Sequence, residues 1–175
     1  MKFNYYAFRA MYLHEMDRFK RTLMQSLFSP VLSTSLYFIV FGSVIGGYVE
    51  KIDGISYGSF IVPGLLMLTL LTQSISNTSF GIFFPKFNGT IYEILAAPIS
   101  TFEIVLAFVG AGATKTLIVG LVIFLTSIFF VEVQVMYPLL MIFLLVLVAF
   151  TFALFGFLIG LMLSLIHISE PTRRA

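Results

Sequence analysis

Ten Lys/Arg and eight Asp/Glu are spread over 175 residues, so a charge inside an apolar stretch is where chemistry is sought first. Lys115 lies within residues 102–131, thirty residues that are nearly all apolar, and Glu103 lies near their start. An amine and a carboxylate so placed can bind and release protons, which is what coupling to an ion gradient requires. Each also has a structural reading. The four-carbon stem of Lys115 lets its amine snorkel to the membrane interface, and this is the expectation here. Glu103 stands three residues after Ser100, a capping box in which hydroxyl and carboxylate satisfy the free amides of a helix start. Thr90 and Glu93 repeat that spacing. His14 and Glu15 are adjacent, but no second His or carboxylate follows at a ligand spacing, so both read as solvated. With no cysteine there is no thiolate metal site and no cysteine nucleophile. There is no G-x-x-x-x-G-K-[ST] loop, no H-E-x-x-H, no Ser-His-Asp set and no carboxylate cluster to hold a metal-bound pyrophosphate, so ATP hydrolysis would need another chain.

The elements that position these groups are helices in a membrane. Hydrophobic residues make up 59% of the chain and charged residues 10%, and the apolar runs exceed the length a transmembrane β-strand needs, so the expected fold is an all-α polytopic bundle. Four apolar segments are predicted as spans, at residues 23–48, 60–84, 102–131 and 138–162. Before them, Tyr5, Phe8, Tyr12, Met16, Phe19 and Leu23 recur every three or four residues while His14, Asp17, Arg18 and Arg21 fall elsewhere, an amphipathic helix suited to the membrane interface or to a cap on another subunit. Gly42-x-x-x-Gly46, Gly156-x-x-x-Gly160 and the small residues Gly110, Gly112, Ala113 and Gly120 allow helices to approach closely. The third segment is about 45 Å long at ~1.5 Å per residue, against a hydrocarbon core of ~30 Å, so one end protrudes.

The second segment changes character halfway, from an apolar first half to TQSISNTS at residues 72–79. Lipid cannot satisfy those groups. Thr69, Gln73, Ser76 and Phe80 share one helical face, and with Asn77 the polar members are candidates for a translocation path; hydrogen bonding between packed helices explains them equally well. The polar stretch at 85–101, PKFNGTIYEILAAPIST, then divides the spans two and two. A short helix is predicted to begin at Thr90 and to end before Pro98. Ile91, Tyr92, Ile94 and Leu95 give it apolar surface, and it is too short to cross a bilayer. Segments on one side of the membrane would hold Lys2, Arg9, Arg18, Lys20, Arg21 and Lys86, and the loops on the other only Lys51. The positive-inside rule therefore places the N-terminus and residues 85–101 in the cytoplasm.

The basic amphipathic N-terminal segment, FGSVIGG at the end of the first span, YGSFIVPGLLML opening the second and FNGTIYEILAAPIS after it together resemble the permease subunit of a type-2 ABC exporter, over residues 3–162. The resemblance implies a bacterial inner-membrane protein of about six spans, four of them present here, that pairs as a homodimer and binds a separate ABC ATPase subunit supplying ATP and Mg. It further implies that Gly89, Thr90, Ile91, Tyr92, Glu93, Ile94 and Leu95 form the coupling helix seated on that ATPase. An ion-gradient-driven secondary carrier using Lys115 and Glu103 is the alternative, and a membrane-embedded lipid-modifying enzyme lacks the acidic motifs it would need. Residues 163–175, beginning LSLIHISEPTR, are similar to one translation frame of a transposon-end adapter used in preparing sequencing libraries. That tail is expected to be foreign, so His167 and Glu170 are given no role.

Overall fold

A computed structural model of the chain describes residues 3–45, 48, 55–131 and 135–168. Its helices are α1 (Tyr5–Arg21), α2 (Leu23–Tyr37), α3 (Tyr57–Phe87), α4 (Ile91–Ala96), α5 (Thr101–Phe130) and α6 (Pro138–Ile168), with α2 running on into a π-helix at Phe38–Ile45. Four of them are long and apolar enough to cross a membrane, over Leu23–Phe41, Tyr57–Phe87, Thr101–Phe130 and Pro138–Leu163. The chain is thus an all-α polytopic bundle. Gly46 and residues 169–175 of the expected foreign tail lie outside the described residues.

Local chemistry sets several helix starts. Asn4 accepts from the Ala7 amide at 3.2 Å and Ser56 from the Ser59 amide at 3.3 Å. At α5 the expected capping box is complete: Ser100 Oγ accepts from the Glu103 amide at 3.3 Å and Glu103 Oε2 from the Ser100 amide at 2.9 Å. The similar box expected at Thr90 does not form. Thr90 makes no side-chain cap to α4; its hydroxyl donates back to the Pro85 carbonyl at 3.2 Å. The short helix is positioned from the preceding turn, where Gly89 takes a φ of 78° that a side chain would strain.

Small residues bring the long helices together. On α6, Gly156 rests on the backbone of Ile75 and Gly160 on that of Ser79, while Ala149 and Ala153 are fully buried. Ser74 adds a hydrogen bond from its hydroxyl to the Ala149 carbonyl at 2.6 Å, and Lys86 one from Nζ to the Leu161 carbonyl at 3.3 Å. On α5, Gly112 lies over Thr78 and Gly120 over Leu70, so α5 runs antiparallel to α3. A Cβ at 156 would lie 2.5 Å from the Ile75 carbonyl oxygen and 2.8 Å from its Cα, and backbone cannot yield as a side chain can. Gly156→Ala is therefore expected to lower stability by about 1–3 kcal/mol. Gly64→Ala, with nothing within 4 Å of the added carbon, should instead raise it slightly through helix propensity. Thermal unfolding of both variants in detergent checks the contrast.

α1 lies along the first half of α5 in matching order. The Asn4 amide donates to Glu103 Oε1, Tyr12 packs over Gly110 and bonds Thr114 at 3.0 Å, and Phe19 joins Leu66, Leu70, Val119 and Ile123 in one apolar cluster. The middle of the apolar stripe of α1, from Phe8 to Phe19, is thus turned toward this chain's own helices, while Tyr5 and Leu23 at its ends stay exposed. Farther on, the Phe38 ring stacks on Phe130 with centroids 6.1 Å apart. A second cluster, Ile82, Ile104, Phe108, Val109, Ala113, Ala149, Ala153 and Phe157, joins α3, α5 and α6 near α4.

Candidate functional site

α4 hangs between α3 and α5 with two unlike faces. Ile91 and Ile94 pack against the cluster formed by α3, α5 and α6, which roots the helix in the bundle. Tyr92 at 71% and Leu95 at 64% exposure turn the other way, and Glu93 beside them is also exposed. Ile91, Tyr92, Ile94 and Leu95 are the apolar surface expected from the sequence. The structure divides them, because a six-residue helix lying on a bundle has an inner and an outer side, and only Tyr92 and Leu95 are left for contact with another molecule.

Between α1, α3 and α5 lies a charge cluster that corrects two expectations. Lys115 does not snorkel: it is 3% exposed, and its Nζ donates to Glu15 Oε2 at 2.7 Å. Glu15 is likewise not solvated, at 3% exposure. The same carboxylate oxygen accepts from Arg18 Nη2 at 2.8 Å, so one anion faces two cations. Gly81 of α3 lies beside it; a Cβ there would sit in ordinary contact, 3.5 Å from Glu15 Oε2. An unaccompanied charge in such surroundings is costly, and pairing removes most of that cost. A signal was present in the sequence. Glu15 falls in step with Tyr12 and Phe19, on the apolar stripe of α1, where a carboxylate needs a cation to meet. Glu103 is committed as well, to the amides of Ser100 and Asn4.

Of the four path candidates, Gln73 and Asn77 line a cavity of about 900 Å³ bounded by α1, α2, α3 and Lys115 of α5. Thr69 lies outside that lining, its hydroxyl donating to the Leu65 carbonyl at 2.8 Å, and Ser76 is exposed on the outside of α3. The shared face of Thr69, Gln73, Ser76 and Phe80 is therefore only partly gathered around the cavity. Asn77 Nδ2 is buried there without a hydrogen-bond partner among the described residues; Thr78 Oγ1, also unpaired, faces Gly112 of α5 instead. His14, Arg18 and Arg21 face the same space from α1.

Four candidate spans, a basic N-terminal helix laid along the third of them and a two-faced helix between the second and third make up a polytopic helical membrane bundle. The family model for ABC-2 type transporters matches residues 6–170, and the chain belongs to that family. It is 39% identical over 154 residues to the inner membrane transport permease YadH of Escherichia coli K12, covering 88% of this chain and 60% of that protein. The proteins of the same name from Escherichia coli O157:H7 and Shigella flexneri match with the same figures. The chain thus spans about 60% of the length of these curated relatives. No solved structure matches it.

Proposed function

We propose that this chain is part of the membrane-spanning subunit of an ATP-driven exporter of the bacterial inner membrane. Residues 89–95 seat it on a separate ABC ATPase, which binds the ATP and Mg. The observation that carries the reading is the division of α4: Ile91 and Ile94 root it in the α3–α5–α6 cluster, while Tyr92 and Leu95 stand outside it. A short helix with an anchored side and an open apolar side can pass a push from a soluble partner into the long helices. The count of Lys and Arg on either side supports an N-terminus, and hence an α4, on the cytoplasmic face where such a motor is found. Substrate would move along the polar half of α3, past Gln73 and Asn77 with Thr69 and Ser76 beside them, and the permease would work as a homodimer. The ion-gradient alternative is weakened by the commitments of its two titrating groups, Lys115 to Glu15 and Glu103 to backbone amides. The test is capture of the tagged permease from its native membrane. An ABC ATPase is expected to come with it. Its absence, together with transport that continues without ATP and collapses with the proton gradient, would decide for the carrier.

A further inference from the structure

We propose that the cavity between the end of α1, the start of α2 and the polar half of α3 binds a phosphate ester, the headgroup of a membrane lipid. Hydrogen-bond donors reach it from three helices: Arg18 and Arg21 of α1, Gln73 and Asn77 of α3, and Lys115 of α5. The nearby carboxylates are already answered. Glu15 takes Lys115 and Arg18, and Asp17, which also lines the cavity, takes Lys20 at 3.0 Å. Arg21 makes no ion pair or hydrogen bond among the described residues, Arg18 uses only Nη2, and Asn77 Nδ2 is a buried donor without an acceptor. The cluster is left positively charged, with donors on several sides. A tetrahedral phosphate offers oxygens in as many directions, and the guanidinium fork fits it well. Size and surroundings favour a lipid as its source. About 900 Å³ is the volume of a pocket for a whole small molecule. Phe80 and Phe84, which also line it, are 66% and 48% exposed on the outside of α3, an apolar way out for acyl chains.

This inference rests on the membrane-spanning fold and not on ATP coupling, so binding is measured with no ATPase present. The chain is placed in phosphatidylcholine nanodiscs containing a trace of spin-labelled phosphatidylglycerol or spin-labelled phosphatidylcholine, and the motionally restricted fraction of each is compared. The intact chain is expected to prefer phosphatidylglycerol. Arg21→Gln, which breaks no contact within the protein, should reduce that preference about fivefold, the effect of ~1 kcal/mol for one basic group at a membrane surface. Arg9→Gln, on the same helix but outside the cavity, should leave it unchanged. Soluble glycerol phosphate separates the sources: failure to displace the labelled lipid assigns a lipid with its chains, and displacement assigns the phosphate whatever carries it. No preference for phosphatidylglycerol, or an equal loss in Arg9→Gln, would overturn the site.

Discussion

Lys115→Met should destabilise the chain by about 3 kcal/mol, near the lower end of what losing one partner of a buried ion pair costs. The substitution keeps the length and apolar stem of the side chain and removes only the amine that meets Glu15 at 2.7 Å. Glu15 is then left buried with Arg18 alone, whose side chain is 31% exposed, and that remaining partner is why the lower end is expected. Glu15→Gln together with Lys115→Met removes both charges and should recover most of the loss, since burying a neutral amide costs far less than burying an unpaired charge. Had the amine snorkelled to an interface, the single substitution would cost no more than ~1 kcal/mol, as exposed charges do. Thermal unfolding of the three purified proteins in one detergent distinguishes these outcomes; an unchanged midpoint for Lys115→Met would show that the pair contributes nothing.

Tyr92→Asp combined with Leu95→Asp should abolish ATP-driven transport while leaving the permease at normal abundance in the membrane. Both side chains are mostly exposed, so the fold loses little contact, whereas an interface loses two large apolar anchors. Anchors of this kind are worth about 2 kcal/mol each, so a single substitution weakens association roughly thirtyfold and the pair leaves little complex. Ile91→Asp should behave differently, because Ile91 packs on the cluster formed by α3, α5 and α6 and a carboxylate there lowers abundance. Quantifying the ATPase captured with each variant, against permease abundance, separates docking from folding. Normal transport by the Tyr92→Asp/Leu95→Asp protein with its ATPase bound would remove α4 from the transmission path.

The spans were legible because twenty-odd apolar residues leave a chain few alternatives in lipid, and the Ser100–Glu103 cap because a box is complete within four residues. Gly156 and Gly160 announced a close approach but not its target, which depends on α3 presenting Ile75 and Ser79. Thr90 shows the limit of local pattern: its spacing to Glu93 matches that of Ser100 to Glu103, yet the Pro85 carbonyl captures its hydroxyl. The Glu15–Lys115 pair was hardest to foresee, since its partners are 100 residues apart and each alone had a sufficient local explanation. Only the coincidence of an anion on the apolar stripe of α1 with a cation deep in α5 pointed to a meeting.

That separation also has a consequence for how the protein is made. Glu15 leaves the ribosome long before Lys115 is synthesised; at ~5–20 residues per second the separation of 100 residues takes roughly 5–20 s. During that interval the first three long segments are still being delivered to the bilayer, and α1 has no α5 to lie against. Until the third span arrives the carboxylate has only Arg18 of its own helix and water to answer it. Seating of α1 on α5 therefore follows synthesis of the third span, and Glu15 gains its second cation only then.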